Sequence, residues 1–285
     1  MTKIKIFVDS ASDITKEEAE KYDITVVPLT VTFDGENFIK DFYDFDHDEF
    51  YNRMISSPTM PKTSQVPPHV FKEYFEKNME GYDCGICFTL SGVSSGTCQS
   101  AKIAADELWE EKGIDIKVVD THSFSYVYGG PVVLGAKMAQ EGKDRDEIIK
   151  TVLDLTQNTT VYFLVGDIEF LKKGGRINLA TLVIGKLLEI RPVLTIKDGL
   201  IAACDKIRGN KKLADKLLDI FEKNGYDLND KDVIIEHSCL DLSRVEETKE
   251  ALYARYKPRS LTIVKLGATI GSHAGPNVTA FLVRG

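Results

Sequence analysis

Phe88-Thr-Leu-Ser-Gly-Val-Ser-Ser-Gly-Thr-Cys-Gln-Ser-Ala101 is the stretch on which the reading of this chain turns. The run before and into it, Cys84 to Leu90, is short, apolar and β-prone, so it reads as a buried strand. Ser91 to Thr97 is a Ser/Gly turn, and Gln99 to Ala105 has the composition of a helix. A strand that breaks into such a turn and restarts as a helix directs free backbone N–H groups and hydroxyls at one point. Helix starts favour anions, glycine admits close approach to the backbone, and serine adds neutral donors. The expectation is a carboxylate or phosphate head group at this turn, set against an ordinary βα turn capped by a serine.

With 285 residues the chain can hold one large or two ordinary domains, and 43% hydrophobic with 28% charged residues suits a soluble protein with a core. Net charge is −8 with no basic stripe, which argues against a nucleic-acid surface. No apolar run reaches the roughly 20 residues of a membrane span. The chain opens directly into a strand, Ile4–Val8, and is read as lacking a signal peptide. Five cysteines without framework spacing fit a reducing compartment, so the expected location is cytoplasmic. Cys84 and Cys87 have redox or zinc half-site spacing, but three apart in a strand they face opposite ways, and core packing is the reading adopted. No metal site is expected.

Outward from the central turn, the first strand ends in Asp9-Ser-Ala-Ser-Asp13, and Thr15 with Glu18 forms a capping box. Ile24–Phe33 is a second extended run closed by Asp34-Gly35, and residues 50–55 are helical. Thr63, Ser64 and Gln65 lie on a proline-stiffened loop before a helix bearing Phe71, Tyr74 and Phe75. Ile116–Val119 is a further strand ending in Asp120-Thr-His-Ser123, and a helix covers about 144–155. These βα units predict a parallel sheet with ligands at its carboxyl edge. Beyond it the pattern changes: strand 161–165, Leu171-Lys-Lys-Gly-Gly-Arg176, an apolar helical stretch 179–190, and a hairpin about Lys197-Asp-Gly199. An amphipathic helix follows at 212–221. Next come strand 233–236, a second capping box at Ser243/Glu246 and strands 261–266 and 278–283. A Gly-rich loop, Gly267–Pro276, carries His273. The fold class is α/β in two domains: 1–158 with a parallel sheet, and 159–285 of α+β type.

Two chemistries compete. Gly92-Val-Ser-Ser-Gly96 fits the G-x-S-x-G elbow, making Ser94 a nucleophile with His273 or His237 as base and Asp241 or Asp120 as acid. That is the serine esterase alternative. No Walker motif occurs, and Gly174-Gly175-Arg176 lacks the Lys-Ser/Thr partner of a phosphate loop. Hydroxyls (Thr63, Ser95), one imidazole (His273) and one guanidinium (Arg176) instead suit binding without chemistry.

Five segments in order resemble the motifs of the DegV family. Asp9–Asp13 is similar to its DSxxD opening. Lys62-Thr-Ser-Gln-Val-Pro67 is similar to TSQP, with Val66 standing at the pattern's proline. Ser91–Ala101 resembles SSxLSGTYQSA, Phe170–Ile177 resembles LKKGGRI, and Gly267–Pro276 resembles GAxIGTHTGPG. Gly92, Ser94, Cys98, Ala274 and Asn277 depart from these patterns. The resemblance implies a two-domain protein with the ligand between the domains, a long-chain fatty acid in an apolar tunnel, and no enzymatic activity or cofactor. It implies that Thr63 and Ser95 hold the carboxylate, with Ser91 and Ser94 on the same loop and His273 supporting the network. Some members present the bound acid to a fatty acid kinase, and Arg176 corresponds to the docking arginine. Expected partners are thus a long-chain fatty acid, such a kinase and, transiently, a membrane.

Overall fold

The structure, a computed structural model, describes residues 2–44, 46–178 and 190–285. The chain forms two units. The first comprises Met1–Asp46, Pro61–Gln157 and Gly267–Ile270; the second comprises His47–Met60, Asn158–Leu266 and Gly271–Gly285.

In the first unit, β1 (Ile4–Asp9), β2 (Ile24–Val27), β6 (Cys84–Thr89) and β7 (Ile116–Asp120) form a parallel sheet in the order β2-β1-β6-β7. Every residue of β1 and β6 is buried, as central parallel strands covered on both faces must be. The helices are α1 (Lys16–Lys21), α3 (Pro68–Asn78), α4 (Thr97–Lys112), α5 (Tyr126–Gln140) and α6 (Arg145–Gln157). Phe7 of β1 meets Phe75 of α3 edge to face, with centroids 4.9 Å apart. The Thr15/Glu18 capping box forms at α1. Cys84 and Cys87 are free and buried in the core.

A small antiparallel sheet, β4-β3-β5, joins β3 (Thr30–Thr32), β4 (Ile39–Lys40) and β5 (Lys62–Ser64). It corrects two readings. The extended run from Ile24 is broken between β2 and β3, and Thr63 sits in a paired strand opposite Val31 rather than in a loop.

In the second unit, a six-stranded sheet has the order β10-β9-β8-β13-β11-β12. Its strands are β8 (Thr160–Leu164), β9 (Ile190–Lys197), β10 (Leu200–Arg208), β11 (Asp232–His237), β12 (Ser260–Lys265) and β13 (Thr279–Arg284). Only β11 and β12 pair in parallel, which makes this the mixed α+β half. The β9–β10 hairpin turns at Asp198 and Gly199, both left-handed (φ 52° and 73°), as a two-residue turn between twisted strands demands.

The helices are α2 (His47–Ser56), α7 (Glu169–Gly174), α8 (Leu213–Lys223) and α9 (Ser243–Arg255). Leu217, Leu218 and Phe221 of α8 pack with Val233, Ile235, Leu252 and Phe281 in the core. The capping box expected at Ser243/Glu246 does not form. Ser243 is already helical, and its N–H donates to the Asp241 carboxylate at 3.0 Å. The Gly-rich 267–276 segment is mostly α10 (Ala268–Ala274), which starts among residues of the first unit. Positions 179–189 of the expected apolar helix lie outside the described residues. Among the described residues no helix is long and apolar enough to cross a membrane.

Candidate functional site

The turn after β6 is held by its own backbone. The Ser91 carbonyl accepts from Ser94 N and Ser95 N, both at 3.2 Å, and from Ser94 Oγ at 3.1 Å. Ser91 N donates to the Ser123 carbonyl beyond β7. Asp120 accepts from Gly92 N at 3.1 Å and from His122 N at 2.8 Å. These bonds give Ser94 and Asp120 structural tasks within the turn, and Asp241 serves the start of α9. His237 Nδ1 accepts from Cys239 N at 3.3 Å. Ser94, Asp120, Asp241 and His237, four of the residues proposed for an esterase, are thus engaged in local backbone contacts.

Ser95 is placed differently. Helix α4 begins at Thr97 with Gly96 as its cap residue, so no serine occupies that position. Ser95 Oγ instead accepts from Thr97 N at 3.3 Å and lies 2.9 Å from Thr97 Oγ1. With Thr97 Oγ1 as donor, both acceptor sites of Ser95 are filled, and its O–H is left to donate at a helix start. β5, which carries Thr63, is followed by Gln65, whose Nε2 donates to Ser100 Oγ in α4 at 3.1 Å. Thr63 and Ser95 therefore belong to elements tied together within the first unit.

Three buried carboxylates stand near the carboxyl edge of the parallel sheet, and sequence reasoning did not single out one of them, Asp41. Asp9 accepts from Ala11 N (3.0 Å), Leu90 N (2.7 Å) and Tyr128 Oη (2.7 Å). Burial pushes its carboxyl up to about 7, against the lowering effect of those three donors. Asp13 accepts from Ser125 Oγ and from Gly267 N. Asp41 accepts from Ser10 Oγ, Phe42 N, Ala268 N and Thr269 N. The hydroxyls of Ser12 and Ser123 are buried without a hydrogen-bond partner among the described residues.

His273 and Arg176 meet in the second unit. A Cβ on Gly174 would lie 2.4 Å from His273 Nδ1, so the imidazole rests on the glycine at the end of α7. Arg176 Nη1 donates to the Gly174 carbonyl at 2.6 Å. Burial first, and then the Arg176 charge, push the His273 imidazole down to about 4, so it is neutral at pH 7. A cavity of about 570 Å³ in the same unit is lined by Lys212, Asp215, Arg244 and Glu247 among others. It includes none of the candidate binding, catalytic or docking residues named from the sequence, and its charged walls do not suit an acyl chain. Among the described residues no group of His, Cys, Asp and Glu is arranged to hold a metal ion.

Comparison with known proteins accounts for the five motifs together. Residues 3–284 match the family described as "Uncharacterised protein, DegV family". The chain belongs to the DegV family. A DegV domain-containing protein of Caldanaerobacter subterraneus subsp. tengcongensis is 34% identical over 277 residues, covering 97% of each chain. A solved DegV family protein from Thermus thermophilus, described as binding fatty acid, superposes with TM-score 0.87 at 29% identity and 99% coverage of both chains. A stearic acid-binding protein from Eubacterium ventriosum superposes with TM-score 0.84 at 28% identity, covering 100% of this chain and 98% of its own.

Proposed function

We propose that this protein binds a long-chain fatty acid, holds its carboxylate with the hydroxyls of Thr63 and Ser95, and acts as a carrier rather than an enzyme. The observation that carries the reading is Ser95, whose hydroxyl accepts from Thr97 N and pairs with Thr97 Oγ1 at a helix start; with Thr97 Oγ1 as the donor, the Ser95 proton is available to a ligand. Ser91 and Ser94 shape that turn. The DegV relatives described as fatty-acid and stearic-acid binders support the ligand class.

The energetics favour this division of labour. Each buried methylene contributes about 0.8 kcal/mol, so a long acyl chain in an apolar tunnel supplies on the order of 10 kcal/mol before ordering costs. Neutral hydroxyls can then take the head group without burying a full ion pair, whose desolvation is expensive. Neutral His273 with Arg176 forms a second polar cluster, within the second unit, which we assign to docking of a partner fatty acid kinase. A lipid cargo of this kind also implies transient contact with a membrane surface.

Native mass spectrometry of protein purified from cells tests the ligand. A retained mass of fatty-acid size is expected, and an empty protein that also fails to take up stearate would refute the reading. Ser95→Ala should weaken stearate binding about tenfold, the loss of one hydrogen bond to a charged acceptor. Unchanged affinity would remove Ser95 from the site.

A further inference from the structure

Gln65 follows β5 at two residues' distance from Thr63, and it is an exposed residue. Its amide end is nevertheless folded onto the first turn of α4. Nε2 donates to Ser100 Oγ at 3.1 Å, and Ser100 is itself buried. A methyl group on Gly96 would come within 2.1 Å of Gln65 Oε1 and 2.8 Å of its Cδ. Gly96 has φ −71° and ψ 0°, which any residue can adopt, so backbone conformation does not require glycine here. The space above it does. A long polar side chain at the surface ordinarily keeps its rotamer freedom, and this one gives it up to lie across the residue between Ser95 and Thr97.

We infer that Gln65 is a positioning residue, whose amide, seated on Gly96, ties β5 to the start of α4 and so fixes the spacing of the Thr63 and Ser95 hydroxyls. This rests on the proposed role of that pair. Hydrogen bonds from hydroxyls to a carboxylate work over a narrow range, about 2.5–3.0 Å, whereas apolar contacts with an acyl chain tolerate small shifts. Loosening the tie therefore degrades recognition of the acid group before it degrades uptake of the chain.

The test is competition between stearate and stearyl alcohol for delipidated protein, with both complexes read in one native mass spectrum. Wild type should favour the acid, and Ser95→Ala should lose that preference. Gln65→Ala should lower the acid-to-alcohol ratio about threefold or more, a partial loss of one charged hydrogen bond, with total lipid occupancy and Tm unchanged. Gly96→Ala, whose new methyl displaces only the far end of a flexible side chain, should do the same. The double variant should fall no further than either single one, because the methyl then has nothing to displace. A ratio unchanged in Gln65→Ala, or two effects that add in full, would overturn the inference. If Ser95→Ala loses the preference and Gln65→Ala keeps it, the positioning role alone fails. If wild type shows no preference for the acid, the head-group reading fails with it.

Discussion

Asp41→Ala should be among the most damaging single substitutions in the first unit. The Asp41 side chain is buried, and among the described residues no cation lies within salt-bridge distance of it. Four neutral donors hold it: Phe42 N at 2.9 Å, Thr269 N at 3.0 Å, Ala268 N at 3.2 Å and Ser10 Oγ at 3.2 Å. Alanine leaves three backbone N–H groups without an acceptor in a dry environment, each costing about 1–3 kcal/mol. Relief from burying a carboxylate offsets part of that sum. Ser10 also keeps a task, since its oxygen accepts from Leu29 N at 3.0 Å. A net loss of about 3–5 kcal/mol follows.

Urea unfolding followed by circular dichroism measures that loss, as a lower midpoint at an unchanged slope. Asp41→Asn keeps one acceptor oxygen but turns an NH2 group toward donors, so it should fall between wild type and alanine. Hydrogen exchange supplies a local readout: the Ala268 and Thr269 amides should lose protection before the rest of the unit does. A loss below about 1 kcal/mol, or unaltered exchange at those two amides, would show that the donors find other acceptors and that this accounting is wrong.

Two further outcomes follow from the same geometry. The Asp9 carboxyl, raised by burial from 3.8 to about 7, binds a proton in the folded state that the unfolded chain has released over that window. Stability should therefore rise as pH falls from about 7 to 4, by on the order of 3 kcal/mol, and Asp9→Asn should lack that slope. Equal pH profiles for the two proteins would sink the assignment. Gly174→Ala should push the His273 ring off its seat, since the new Cβ would lie 2.4 Å from Nδ1. An imidazole moved toward solvent should titrate nearer its ordinary 6.5 than about 4, as read from its C–H proton shifts by NMR. A midpoint that stays near 4 would mean that the ring is not displaced.

Much of the first unit is legible because its strands are short apolar runs ending in polar turns, and the parallel order follows from βα alternation. Helix α5 (Tyr126–Gln140) is not legible. It is apolar nearly all round, so it lacks a 3.6-residue stripe, and Gly129, Gly130, Pro131 and Gly135 look like breakers. The structure explains Gly129: a Cβ there would lie 2.1 Å from the Ser12 carbonyl, so the helix rests directly on the turn after β1. Residue type and motif single out Thr63, Ser95, His273 and Arg176, but not the contacts that organise them. Gln65 on Gly96 and His273 on Gly174 are tertiary close approaches, and nothing local in the sequence announces them. Asp41 is hidden for a similar reason. It opens an acidic, aromatic stretch in which local composition gives no sign of which carboxylate is buried.

The buried carboxylates also bear on how a ligand's acid group could be held. Asp9 and Asp41 are surrounded by backbone N–H groups and hydroxyls: Tyr128 Oη and Leu90 N on one, Ser10 Oγ and the start of α10 on the other. The carboxyl edge of this sheet is thus built to accept negative charge from the chain itself through neutral donors. Asp9 also marks the limit of that strategy, because three donors do not prevent burial from raising its carboxyl to about 7. A fatty-acid carboxylate held by two hydroxyls has fewer donors than Asp9 and so must be less completely desolvated if it is to stay ionised. Thr63 and Ser95 are both half-buried, which is the partial exposure that the proposed head-group site requires.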